Sequence, residues 1–140
     1  AEVPDLTVIT NSFRIADVIT RKGSSSNVIA LGGNYRHDNA QTVGAATVAE
    51  IGRFRVDHAI LTIGTLDDRG GYDFSAEEAQ VARAMRDSAD QLCVVADLSK
   101  LNRRSTYQVC DLQDLDRLIL DDSPDDALNE ALRAAGVKVL

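Results

Sequence analysis

"SAEEAQVARAMRDSADQLCVVAD" (75–97) holds two periods within one short stretch. From Ser75 to Asp90 the apolar residues Val81, Ala82, Met85 and Ala89 recur at helical spacing. Ser75 and Glu78 stand as an S-x-x-E capping box at the start. From Leu92 the pattern changes to a short run of mostly apolar, β-branched residues, "LCVVAD" (92–97), which is a strand pattern. A helix running directly into a strand is half of an alternating α/β unit.

The same change of period recurs along the chain. "DLTVIT" (5–10), "NVIAL" (27–31), "VDHAILTIG" (56–64), "RLILD" (117–121) and "VKVL" (137–140) join 92–97 as expected strands. Their continuous apolar character predicts burial on both faces, as in parallel sheets. "NSFRIADVITRKG" (11–23) and "TVGAATVAEIGRF" (42–54) are expected helices. A last helix is expected with Ser123 as N-cap, Pro124 in its first turn, Leu128 and Leu132 one turn apart, and Gly136 at its end. The fold class is therefore α/β, an open, mostly parallel sheet with helices on both faces. "KGSSSN" (22–27) reads as a flexible turn, and "GNYRHDNAQ" (33–41) and "DDRGGYDF" (67–74) as longer loops.

With 140 residues, 44% of them apolar, the chain has the length and content of one compact domain. The start "AEVPDLTV" has neither the basic region nor the apolar core of a signal peptide, and no apolar run reaches the roughly 20 residues of a membrane span. A cytoplasmic protein without membrane contact is the expectation. Cys93 and Cys110 lack metal-ligand spacing and read as inert thiols, and His37 and His58 have no ligand-like partners, so neither metal nor cofactor is expected. A net charge of -7 opposes direct DNA binding by this chain, because such binding draws on Lys and Arg at phosphates. A bound anion must be held by a local cluster.

Loops after strands in such sheets are where ligands bind. Thr10, Asn11 and Ser12 open a helix whose free amides suit an anion, with a plain N-cap as the alternative. Gly32 and Gly33 permit close backbone approach, or simply a tight turn. "TIGTLDDRGG" (62–71) brings Gly64, Thr65 and Asp67, with a solvated hairpin or turn as the alternative, and "ADLSK" (96–100) brings Lys100, a point charge for a phosphate or simply an exposed strand-end lysine, and Asp97, to orient that lysine or bond a sugar hydroxyl. Glu78 has the chemistry of a general base, although its capping box already accounts for it. No G-x-S-x-G elbow is present, so nucleophilic hydrolysis is not expected.

In this order, "TVITNS", "LGGNYR", Gly44 of "TVGAAT", "FRVDHAILTIGTLDDRGG", "EEAQVARAM", "VVADLSKLNR" and "LDRLILDD" resemble the carboxyl-terminal effector domain of DeoR-family transcriptional repressors, from about Leu6 to Val139. The resemblance implies a Rossmann-like, ISOCOT-type sensor domain, similar to ribose-5-phosphate isomerase type A and the coenzyme A transferases. It implies a small phosphorylated metabolite as effector, held by Thr10, Asn11, Ser12, Gly32, Gly33, the 64–71 segment, Glu78 and Lys100. Where relatives commonly carry lysine this chain has Ala82, which makes the adjacent Arg83 a candidate replacement. Asp73 and Phe74 look most like the glycerol 3-phosphate regulators. Full-length members also carry a winged helix-turn-helix and a D-x-G-[ST]-T loop before the segment matched here. Operator DNA would thus be contacted only through that other domain, and 1–140 would be one effector-binding domain of a homo-oligomer. The rival reading is a phosphosugar isomerase with Glu78 as base, although the lysine and glycine cluster of that enzyme does not precede Glu78 in "GGYDFSAEE".

Overall fold

The computed structural model describes residues 5–23 and 25–140; residues 1–4, and Ser24 in the turn expected at 22–27, lie outside them. The chain divides into two units, 1–53 and 54–140.

In the first unit, β1 (Thr7–Thr10), α1 (Phe13–Arg21) and β2 (Asn27–Ala30) make one strand–helix–strand turn, followed by β3 (Asn34–Arg36), β4 (Gln41–Val43) and α2 (Ala45–Ile51). β1 and β2 pair in parallel, with Thr7 opposite Asn27 and Thr10 opposite Ala30. The stretch 33–41, expected as a loop, is largely the antiparallel hairpin β3–β4. Leu31, Val43, Thr47 and Ile51 form the buried centre of this unit. α1 has no fully buried residue, and Phe13, Ile15 and Val18 remain exposed.

The second unit contains β5 (Val56–Thr62), β6 (Thr65–Asp67), β7 (Gly70–Asp73), α3 (Ala76–Asp87), β8 (Ala89–Val95), β9 (Tyr107–Asp111), β10 (Arg117–Ile119), α4 (Asp126–Ala134) and β11 (Lys138–Val139). Four strands form the central parallel sheet in the order β11-β10-β8-β5. This is the α/β architecture that the alternating periods predict. The helix expected at 75–90 ends earlier, because Ala89 already pairs with Val56 as the first residue of β8.

Contrary to expectation, these strands are not buried on both faces. β5 and β8 alternate, with Ala59, Leu61, Leu92 and Val94 buried and Ile60 69% exposed. Leu118 of β10 extends the buried face, and Ala79 and Ala82 of α3 and Leu128 and Leu132 of α4 pack into the same cluster. The other face carries Ile60, Val95 and Ile119, all exposed.

A second sheet, β6-β7-β9, is antiparallel and lies in the segment expected as the 67–74 loop plus a strand that the apolar pattern does not announce. Its turn is held by the Asp67 carboxylate, which accepts from the Arg69 N–H at 2.9 Å and the Gly70 N–H at 3.3 Å. Gly70 has φ +151°, and a Cβ there would lie 1.9 Å from the Cys110 carbonyl oxygen. Only glycine lets β9 approach so closely.

The last helix starts later than expected. Asp125, not Ser123, is its N-cap, in extended conformation with its carboxylate accepting from the Leu128 N–H at 3.0 Å. Gly136 follows its end at φ +81°, as a left-handed stop requires. Replacing Asp125 with Ala is expected to cost about 1 kcal/mol in urea unfolding, the usual worth of an N-cap, and Ser123→Ala less than about 0.5 kcal/mol.

Candidate functional site

The parallel register sets where ligand-facing groups gather. Thr62, Val95 and Ile119 stand side by side at the carboxyl ends of β5, β8 and β10. The segments that follow them therefore leave the sheet along one edge. Asp97 caps a single 3-10 turn, Leu98–Lys100, by accepting from the Ser99 N–H at 2.8 Å and from the Ser99 hydroxyl. These bonds hold its carboxyl below the usual carboxylate range, with the ammonium of Lys100 adding to the effect. The Asp121 carboxylate, from the end of β10, accepts the Leu98 N–H at 2.9 Å. Lys100 is half-buried, and its ammonium makes no hydrogen bond or ion pair with a described residue.

The loop after β5 is the second part of this edge. Gly64 donates its N–H both to the Tyr72 carbonyl at 2.9 Å and to Oδ1 of Asp73 at 3.1 Å. Asp73 is the last residue of β7 and only 9% exposed. α3 begins just beyond it, where the Ser75 hydroxyl accepts the Glu78 N–H at 3.5 Å, as the expected capping box requires. Burial, and the negative charge of Glu78 in this first turn, push Asp73 up to about 6, against the pull of the Gly64 N–H. Thr65 stands opposite Tyr72 in the hairpin, and its buried Oγ1 has no hydrogen-bond partner among the described residues. The Tyr72 hydroxyl donates to Asp67 at 3.0 Å. Burial first, then that acid, raise the Tyr72 pKa.

Several candidate groups are occupied by the fold itself. Oδ1 of Asp67 is shared by the hairpin turn and Tyr72, and Asp97 by its own turn. The Arg83 guanidinium donates to the Gln108 carbonyl at 2.7 Å and so ties α3 to β9, while Ala82 is buried in the core. In the first unit, Thr10 and the 31–33 loop are neighbours, since the Leu31 N–H donates to the Thr10 carbonyl at 2.9 Å. The helix-opening amides there have partners: Ser12 N–H to Thr10 Oγ1, Phe13 N–H to the Ala40 carbonyl, and Ile15 N–H to Ser12 Oγ. Asn11 donates to the Thr42 carbonyl at 2.9 Å. The Gly32 N–H meets a carboxylate oxygen of Glu50 at 3.2 Å, and a Cβ on Gly33 would lie 1.9 Å from Thr47 Oγ1. Burial pushes both Cys93 and Cys110 up, which keeps them as thiols near neutral pH.

Sequence reasoning used Asp73 only as a mark of a subfamily and missed its place at the edge. The available signal was an acid ending a strand five residues before the acid of a capping box. Because the folded carboxyl titrates near 6 and the unfolded one near 3.8, the folded state holds the extra proton between those values. Its contribution is thus favourable in acid and is lost as pH rises through 6. Asp73→Asn, which keeps an oxygen for Gly64, is expected to raise stability by about 1–3 kcal/mol at about pH 8 and to change it little below about pH 4. Thermal unfolding of both proteins across that range checks the sign.

Comparison with known proteins gives this edge a context. The profile of the DeoR C terminal sensor domain matches residues 1–122. The chain is 32% identical over 136 residues to the HTH-type transcriptional repressor GlcR of Bacillus subtilis, covering 97% of this chain and 52% of that protein. It is 34% identical over 125 residues to the glycerol-3-phosphate regulon repressor of Haemophilus influenzae, covering 89% and 48%. It is 33% identical over 133 residues to the HTH-type transcriptional regulator GlpR of Haloferax volcanii, covering 94% and 51%. The chain spans about half the length of these relatives. With a profile match over most of its residues, the chain belongs to the DeoR family of transcriptional regulators and carries that family's sensor domain.

Proposed function

We propose that this chain senses a small phosphorylated sugar or sugar-derived ester, of the glycerol 3-phosphate kind, and that its occupancy controls operator binding by the protein to which it belongs. The match to the sensor domain over residues 1–122 carries this reading. Two relatives named as glycerol-3-phosphate regulon repressors, 34% and 27% identical, favour that class of ester. Operator contacts are assigned to residues corresponding to the half of the relatives that this chain does not span, in keeping with its charge of -7. The protein acts in the cytoplasm as a homo-oligomer, whose symmetry would match paired half-sites. No helix among the described residues is long and apolar enough to cross a membrane.

A regulator, not an isomerase, is the reading adopted. Every comparison reported above is to a protein named as a repressor or regulator. The acidic pair Asp73 and Glu78 would suit proton transfer only with a cation or amide cluster to stabilise an enediolate. Asp73 has no ion pair among the described residues, and burial and Glu78 are what raise its pKa.

Lys100 is the cation expected to meet the phosphate. It stands in a 3-10 turn whose amino end is held by two carboxylates, Asp97 at the Ser99 N–H and Asp121 at the Leu98 N–H, so little backbone ordering remains to be done when an anion arrives. Lys100→Ala is expected to weaken binding of glycerol 3-phosphate by about 1.5–3 kcal/mol, the worth of a charge-assisted hydrogen bond. Calorimetry reads the affinity, and melting without ligand is expected to shift by less than about 0.5 kcal/mol in stability. Equal affinities for parent and variant would remove Lys100 from the site.

A further inference from the structure

Asp73 keeps a charge that its structural role does not require. One oxygen accepts the Gly64 N–H at 3.1 Å and so pins the end of β7 to the loop after β5. A neutral amide would do the same. The residue is 9% exposed, forms no ion pair among the described residues, and feels the negative charge of a second carboxylate, Glu78. Among the described residues its other oxygen has no hydrogen-bond partner, yet it is not a fully buried unpaired atom, so it reaches solvent. The result is a carboxylate fixed in direction by one bond, walled in on its sides and open at one atom. That atom lies by the carboxyl end of β5 and the amino end of α3.

An ionised carboxylate offers acceptors only. Beside Glu78 it does not suit the phosphate end of an ester, which is also anionic. It suits a hydroxyl. We propose that the open oxygen of Asp73 accepts a hydrogen bond from a hydroxyl of the phosphorylated effector and thereby selects hydroxylated esters over deoxygenated ones. The proposal rests on the sensor reading above and assigns the other end of the ligand from that given to Lys100. A site built to receive a hydroxyl rejects a ligand lacking it, because the acceptor is then left desolvated and unpaired.

The test compares three probes by calorimetry at neutral pH on the protein and its Asp73→Asn variant: glycerol 3-phosphate, propyl phosphate, which lacks both hydroxyls, and inorganic phosphate. The parent is expected to prefer glycerol 3-phosphate over the deoxy ester by about tenfold, and the variant to lose most of that preference while its affinity for inorganic phosphate holds or rises. The variant keeps the Gly64 bond, and its melting curve verifies that it folds. If the parent binds both esters equally, or the variant discriminates as the parent does, Asp73 does not read the hydroxyl although the sensor reading stands. If the parent binds none of the three probes, the sensor reading for this ligand class falls and the assignment of Asp73 falls with it.

Discussion

The register of four parallel strands is the constraint on which the second unit depends. Ile60, Cys93 and Arg117 are aligned across β5, β8 and β10, and so are Thr62, Val95 and Ile119. With side chains alternating, that alignment puts Ala59, Leu61, Leu92, Val94 and Leu118 on one face, where α3 and α4 complete the cluster. A slip of one residue in any strand would exchange its buried set for its exposed one. The same alignment brings the carboxyl ends of three strands to one edge, so the segments that follow them leave the sheet on the same side although they are far apart in sequence. Core and candidate site thus have a single geometric cause.

The acids along that edge divide by whether the backbone uses them. Asp67 closes a hairpin, Asp97 caps a 3-10 turn, Asp121 holds that turn in place, and Asp125 caps α4 while its other oxygen meets Asn102. Asp97, Asp121 and Asp125 accept from backbone N–H groups in exposed positions, and Asp67 does so half-buried. Asp73 accepts one such bond in a buried position beside Glu78, and its ionisation is opposed. A carboxylate held at a cost to stability is a common sign of a group retained for its ligand.

The strands of the central sheet, the positions of all four helices and the α/β class were legible in the sequence, because each depends on a local period. What was not legible depended on pairing. "DDRGGYDF" is polar and glycine-rich, which reads as solvated, yet all of Gly70, Gly71, Tyr72 and Asp73 are buried once β9 lies against them. β9 itself, "YQVCD", is short and half polar. The expectation of strands buried twice over failed for a similar reason: Ile60 and Val95 are as apolar as their buried neighbours, and composition does not say which face is covered. At α4, Ser123, Asp125 and Asp126 all had capping chemistry, and only the backbone of Asp125 was extended in the right place. Site residues were found by position after a strand. That rule pointed to Lys100, Gly64 and Asp67, and the resemblance alone pointed to Arg83; in the fold the polar groups of Asp67 and Arg83 hold β7 and β9.

The charge of the chain explains why its recognition has to be divided between two kinds of group. A net charge of -7 gives no general attraction for a phosphate ester, so affinity must come from cations placed at short range. Many of the arginines are held elsewhere: Arg21 by Asp17, Arg36 by Asp38, Arg55 by Asp90, Arg86 by Asp87 and Arg133 by Glu130. Lys100, set at the sheet edge without such a partner, supplies the short-range attraction that the field lacks. A cation alone, however, binds inorganic phosphate as readily as an ester of it. Discrimination needs a group that phosphate repels and a hydroxyl attracts, and a fixed carboxylate is that group. The acid that weakens the fold at neutral pH is therefore the one best suited to tell a hydroxylated ester from the bare anion.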